Sequence, residues 1–296
     1  MKNRGDALAL EVTVAPFGQW AQVLLGDHPC WGDGEAAAAV VWTLPQEVSA
    51  GFARALDGED VPWDEIEAEV DTFCAGLRRA SGRARVTLVA SWTLPGQRRG
   101  LGALELHRGA TRLVARMNER LCAAFDDDPS VFVLDAARWM SVAGDKAWSP
   151  RGYYAGKIPF GSRVFHEAAA DVCAALGASR GLTRKLVIVD LDDTLWGGII
   201  GDDGLEGITL GGHSPAGEAF VDFQRALKAL THRGVVLGIC SKNEEAVALN
   251  AIDRHSEMVL SRSDFVGWRI DWGDKASNVA SLAEELNLGL QSVVFI

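Results

Sequence analysis

At 296 residues the chain is long enough for two domains of ordinary size. Its 48% hydrophobic and 23% charged residues are those of a globular protein, and a net charge of −11 disfavours nucleic acid, whose phosphates demand a basic footprint. No apolar stretch is long enough to cross a bilayer and the opening MKNRGDAL lacks the apolar core of a signal peptide, so a cytoplasmic chain without membrane contact is expected.

In chain order, apolar runs at residues 7–14, 36–44, 86–90 and 131–134 read as short strands with helical patterns between them. Buried strands alternating with helices imply a parallel sheet, so the first part of the chain is expected to be an α/β domain. Within it, residues 78–120 hold ten arginines against only Glu105 and Glu119. Arg108, Arg112, Arg116 and Arg120 recur every four residues, which on a helix makes a basic stripe beside the apolar face of Leu113, Val114, Met117 and Leu121. Such a stripe serves either as a solvated face or as a docking surface for an acidic partner.

The stretch GASRGLTRK marks a boundary near residue 181, giving domains at 1–180 and 181–296. A second strand series follows at 186–189, 235–239, 258–260 and 293–296. Ser214-Pro215 makes a helix start, with Phe220, Phe223, Leu227 and Leu230 on one face up to Gly234. WGGIIGDDGLEGITL reads as a hairpin turning at GDDG. The five cysteines (Cys30, Cys74, Cys122, Cys173 and Cys240) show neither CxxC nor zinc-ligand spacing and are expected to be free thiols.

Chemistry concentrates in VDLDDTLWGG, which places Asp190, Asp192 and Asp193 directly after the apolar run LVIV. In an open parallel sheet, ligands bind at the carboxyl ends of strands, where these carboxylates arrive. Spaced by one residue, Asp190 and Asp192 can flank one pocket, one as nucleophile toward phosphorus and the other as general acid and base. Mg2+ with oxygen ligands would relieve their mutual repulsion. A solvated acidic loop or a helix-capping cluster is the plainer alternative.

LVIVDLDDT resembles the first motif of the haloacid dehalogenase superfamily, most members of which hydrolyse phosphate esters through an aspartyl-phosphate. Ser241, after the strand at 235–239, resembles the second motif, and Lys275 in GDKASNVASL resembles the third. Lys275 also lies in the first turn of an expected helix, where a cation opposes the dipole and so points to an anion nearby. The intervals between these motifs are too short for a cap domain, which would need ~50 residues or more, so the site is expected to be open.

DLDDTLWGGIIGDDGLEGITLG, SPAGEAFVDFQRALKALTHRGVVLGICSKNEEAVA and LAEELNLGLQSVVFI resemble the FkbH-like glyceryl transferase/phosphatases of polyketide pathways. This resemblance implies transfer of a glyceryl group from 1,3-bisphosphoglycerate to the thiol of an acyl carrier protein, with loss of both phosphates. It assigns Asp190 as nucleophile and metal ligand, and Asp192 as general acid/base and, through its carbonyl, metal ligand. Thr194, Ser241, Lys242 and Asn243 are assigned to phosphate binding and loop orientation, and Lys275 to bridging phosphate and Asp190. Cys240 is the candidate for a transient glyceryl thioester, although its neighbour Ser241 must then face the other way on a strand. The family continues past VVFI into a fourth, metal-binding motif, and the sequence ends at Ile296, so truncation there is expected. A small-molecule phosphatase and a catalytically weak carrier-binding scaffold are the alternatives.

PFGQWAQ and YYAGKIPFGSRVFHEAA resemble the N-terminal, SGNH-hydrolase-like domain of the same family. A GDS-type serine and an Asp-x-x-His are missing, Asn118 and His166 stand unpartnered, and Lys157 either reaches toward an anionic substrate or is a solvated lysine. The expected architecture is therefore a degenerate SGNH-like α/β domain, acting as lid or carrier-docking module, followed by a capless HAD-like parallel-sheet domain.

Overall fold

The computed structural model describes residues 11–296 apart from 17, 33, 95, 97–99 and 106–107. The chain is α/β and divides between Gly181 and Leu182 into two compact units.

In the first unit, β1 (Ala39–Val41), β2 (Thr87–Ala90) and β3 (Val131–Leu134) form a parallel sheet in that order. Its longer helices are α1 (Trp63–Ser81), α2 (Ala110–Ala123), α3 (Ala136–Ala143) and α4 (Ser162–Ser179). On α1 the buried Ile66, Val70, Phe73 and Leu77 recur at helical spacing, and on α2 Leu113, Val114, Met117 and Leu121 do the same; these two faces close one core cluster. Of the strand expected at 7–14, residues 7–10 lie outside the described residues and 11–14 form no strand.

The arginine stripe beside that face meets acids of its own unit. Arg120 makes a bidentate pair with Asp71 of α1 (2.6 and 2.7 Å), Arg108 pairs with Asp60, and the Arg116 guanidinium lies 3.9 Å from the Trp63 ring centroid. Asn118 is spent on the backbone, accepting from Trp92 N and donating to Trp92 O, both at 2.8 Å. His166 and Lys157 are exposed, the latter over the Tyr153 ring.

The second unit holds β4 (Leu186–Val189), β5 (Val236–Ser241), β6 (Phe265–Ile270) and β7 (Val293–Phe295), all parallel, in the order β6-β5-β4-β7. Helices α5 (Ile200–Gly207), α6 (Pro215–Thr231), α7 (Glu245–Arg254) and α8 (Lys275–Glu285) complete it. All four residues of β4 are buried, as a central parallel strand covered on both faces requires. Val187 and Val189 join Leu237 and Ile239 in the larger cluster, while Leu186 and Ile188 join Cys240 and Leu282 on the other face.

Two sequence expectations are corrected here. Residues 258–260 form no strand: Val259 N and Leu260 N donate to Oε1 of the fully buried Gln224, at 2.9 and 3.3 Å, instead of to a neighbouring strand. The strand is β6, where FVGWRI carries a glycine and an arginine that break the apolar run. GDDG is not a hairpin turn, although Gly197 and Thr209 do pair as an antiparallel bridge. Ile200–Gly207 is helical up to a break at Gly204. Asp202 and Asp203 suit the first helical turn, and Asp203 accepts from Ile199 N at 2.8 Å.

Two glycines set the height of α8 above the sheet. Gly238 and Gly267 are register partners on β5 and β6, and a Cβ on either would come within 2.8 and 2.9 Å of the Leu282 side chain. Leu282 of α8, fully buried, seats in that notch. The same helix begins with Lys275, so this packing fixes where the lysine stands. Truncating Leu282 would cost about 2–5 kcal/mol and loosen that placement.

Candidate active site

Past Val189 the chain turns through Asp190–Trp196 with its apolar residues inward. Leu191, Leu195 and Trp196 are fully buried, which anchors the loop and leaves the carboxylates between them at the sheet's carboxyl edge. Asp193 takes a left-handed conformation (φ 52°), tolerated by Asp, and its Oδ1 accepts from Gly198 N at 2.8 Å.

A cavity of about 630 Å³ opens there, lined entirely by the second unit. It brings together Asp190 and Asp192 from the loop after β4, Ser241, Lys242 and Asn243 from the end of β5, and Lys275 from the start of α8. Asp190 Oδ1 accepts from Leu191 N at 2.9 Å, and Oδ2 is ion-paired with Lys275 Nζ. Asp192 is held at both oxygens: Oδ1 accepts from Trp196 Nε1 (3.0 Å) and Ile200 N (3.1 Å), and Oδ2 from Asn243 Nδ2 (2.9 Å). Asn243 also donates to Ser241 Oγ at 3.2 Å. Two neighbouring hydroxyl and carboxylate groups are thus oriented by one buried amide.

The turn from β6 into α8 is fixed by two more acids. Asp271 Oδ1 accepts from Gly273 N (2.7 Å) and Asn278 Nδ2 (2.8 Å), and Asp274 caps α8 through Ser277 N (2.9 Å). The Asn278 bond to Asp271, and the Ser277 amide and hydroxyl on Asp274, hold both carboxyls below the usual carboxylate range.

Two expected site residues stand apart from the cavity. Thr194 lies in the turn, its amide donating to Leu191 O at 3.1 Å, and does not line it. Cys240 is fully buried on the opposite face of β5, among Leu186, Ile188 and Leu282, with its thiol directed to Lys275 O. Burial pushes that thiol's pKa up despite nearby Lys275, and thiolate formation is disfavoured. The assignment of Cys240 as a thioester carrier is therefore corrected: the alternation of a strand turns it to the core as Ser241 turns to the cavity.

Trp196 and Gln224 were not singled out in the sequence. Gln224 Nε2 donates to Leu195 O at 2.8 Å, tying α6 to the carboxylate loop. Its signal was a polar residue on the helical face of Val221 and Leu227, a position that demands hydrogen-bond partners when buried.

The oxygen donors suit a hard divalent cation. The Asp190 and Asp192 carboxylates both line the cavity, and such oxygen donors are the kind that Mg2+ takes while keeping positions for water and phosphate oxygens. Among the described residues, no group of three or more His, Cys, Asp or Glu forms a fuller metal cluster.

No protein-family model matches the chain, and no curated protein matches it significantly. Among solved structures, it is similar to the crystal structure of the N-terminal part of the protein BF1531 from Bacteroides fragilis, which contains a phosphatase domain and is complexed with Mg. The likeness covers 95% of this chain and 88% of that one, with a TM-score of 0.71 at 21% identity, and shows a shared fold.

Proposed function

We propose that the second unit is a Mg2+-dependent phosphatase of the HAD type, working through an aspartyl-phosphate. The observation that carries this reading is the convergence of Asp190, Asp192, Ser241 and Lys275, from three separate segments, on one cavity at the carboxyl edge of a parallel sheet. The Mg-complexed phosphatase domain in a protein of the same fold supports it.

In this mechanism a carboxylate oxygen of Asp190 attacks phosphorus, and the bond to the leaving oxygen breaks as Asp192 delivers a proton to it. Water then attacks the phosphorus of the aspartyl-phosphate while Asp192 takes its proton, which restores both residues and releases inorganic phosphate. Ser241 Oγ and the Lys242 and Lys275 ammonium groups bind the phosphoryl oxygens. Trp196, Ile200 N and Asn243 keep Asp192 in the orientation that proton transfer needs. Bound Mg2+ would neutralise phosphoryl charge beside Asp190.

The finer reading is glyceryl transfer from 1,3-bisphosphoglycerate to an acyl carrier protein. Its support is the sequence resemblance over residues 185–296 and a cavity, lined by the second unit, larger than a phosphoryl group requires. With Cys240 turned into the core, the carrier thiol would attack the acyl phosphate directly. Incubation with Mg2+, 1,3-bisphosphoglycerate and a carrier bearing its thiol arm, read by intact-protein mass, tests both levels. Glyceryl on the carrier supports the transferase, and phosphate release with unmodified carrier supports the phosphatase alone. Neither, with Mg2+ present and no phosphate released from simple monoesters, leaves the scaffold alternative.

A further inference from the structure

Trp272 stands at the mouth of the candidate active site under unusual conditions for its residue type. The sequence has ten tryptophans, all among the described residues, and Trp272 alone is exposed, at 75%. No hydrogen bond or ring contact engages its indole among the described residues, although large aromatic surfaces are normally buried. It is not carried on a loose segment. Asp271 folds back on Gly273 N and Asn278, and Asp274 caps α8, so the backbone on both sides of Trp272 is tied down.

Its surroundings narrow what it can meet. Ile199 (48% exposed) and Val247 (36%) line the same cavity and add apolar surface beside the charged floor. Asp193, Asp202 and Glu244 also line it, and none of the three forms an ion pair among the described residues. Across the whole lining five carboxylates (Asp190, Asp192, Asp193, Asp202 and Glu244) face two cations, Lys242 and Lys275, and this excess of negative charge repels a second anionic group while leaving an uncharged one unopposed. The cavity volume of about 630 Å³ is that of a site for a whole small molecule, well beyond a phosphoryl group.

We infer that Trp272 is a specificity-determining residue, whose indole face stacks on the uncharged, flat-faced body of the molecule that presents its phosphoryl group to Asp190. The favoured substrate class is a phosphate monoester with a planar organic leaving group and no second negative charge, a class that favours the phosphatase alone over transfer from the doubly phosphorylated 1,3-bisphosphoglycerate. Ile199 and Val247 flank that body and exclude water from it. This inference rests on the phosphoryl-transfer reading of the same cavity.

The test compares 2-naphthyl phosphate with glycerol 2-phosphate on the full chain with Mg2+. Parent protein should favour the naphthyl ester in kcat/KM, and Trp272→Ala should collapse that preference about tenfold, mostly through KM, as loss of one stacking surface predicts. Trp272→Phe should restore most of it, which a merely structural role would not do. The affinity of 2-naphthylmethylphosphonate, measured by calorimetry on the Mg2+-loaded chain, should follow the same order without any turnover. A preference and an affinity both indifferent to Trp272→Ala overturn the inference and leave the phosphatase standing. Phosphonate binding that depends on Trp272, with hydrolysis of neither ester, would uphold the platform and count against the phosphatase. Absence of both binding and hydrolysis overturns the two together.

Discussion

Lys275 donates from Nζ to Oδ2 of Asp190 across 85 residues of chain. Both partners are partly exposed, with side chains 34% and 22% accessible, so the pair faces the cavity instead of being sealed in the core. Such a lysine holds the carboxylate aimed along one direction and remains available to the phosphoryl oxygens that approach it. Under the proposed mechanism Asp190→Asn removes the nucleophile and should lower phosphate release by about three decades or more, while Lys275→Met, which removes the charge and the hydrogen bond to Asp190 but keeps the side chain's length, should cost about 10²–10³. Steady-state phosphate release from a monoester in Mg2+ measures both, and near-parental turnover by the Asn variant would refute the covalent mechanism.

Asn243 separates orientation from chemistry. It is almost fully buried and gives its amide hydrogens to Asp192 and Ser241. Asn243→Ala leaves both acceptors without that donor and should reduce stability by about 1–3 kcal/mol in urea unfolding. The carboxylate would then be free to rotate, and kcat should fall about 10–100-fold with a smaller change in KM. Lost stability with an unchanged kcat would restrict Asn243 to a packing role.

How much of this was legible in the sequence follows from how local each signal is. Leu186–Val189 was readable as a strand because a covered parallel strand is apolar throughout, and the start of α6 was readable because Ser214 caps it through Gly217 N. Asp190, Ser241 and Lys275 were brought into one reading by their motifs and their order. What escaped the sequence depends on contacts at long range. The run at 258–260 looks like a strand until Gln224, 35 residues earlier, takes its amide at Val259. The arginine stripe looks free until α1 supplies Asp71. Trp196 carries no signal of its role in the sequence, since nothing in its spacing shows that its indole N–H reaches Asp192.

Cys240 makes a chemical test of the site's limits. Burial raises the pKa of both Cys240 and Cys122, the latter with help from Asp126, but the Cys240 thiol is buried whereas Cys122 and Cys173 are exposed, so access separates them. Brief treatment of the native protein with iodoacetamide at neutral pH should modify Cys122 and Cys173 and spare Cys240, as read by peptide mass mapping. Cys240→Ser should leave phosphate release within about threefold and lower stability by about 1–3 kcal/mol, the cost of an unpaired hydroxyl in an apolar cluster. Rapid alkylation of Cys240 in the folded protein would reopen its catalytic assignment.

Gln224 carries a larger share of stability than its polarity suggests. Its side chain satisfies Leu195 O, Val259 N and Leu260 N from a position with no solvent exposure. Gln224→Leu fills the volume but strands those groups, and should destabilise by about 2–4 kcal/mol. Because Leu195 lies in the carboxylate loop, activity should fall too, at temperatures where the variant is still folded. Chemical unfolding together with kinetics at reduced temperature checks both, and a stable variant would mean that the backbone groups had found water.

The pairing of Arg120 with Asp71 predicts a pH dependence in the first unit. The hydrogen bond from Arg120, reinforced by its charge and that of Arg78, holds the Asp71 carboxyl below its ordinary range. A carboxyl with a depressed folded pKa contributes stability that is fully present above its unfolded value and is lost as pH falls through the folded one. Arg120→Gln should therefore lower the unfolding temperature by a constant amount from pH 7 down to about pH 5, and the gap should close between about pH 4 and pH 2. Both side chains are more than 40% exposed, so the effect is small and added salt should shrink it at neutral pH. Thermal scans of parent and variant across that range, with and without salt, provide the measurement. A gap that stays constant to pH 2 would assign the loss to the arginine stem packed along α1 and not to the ion pair.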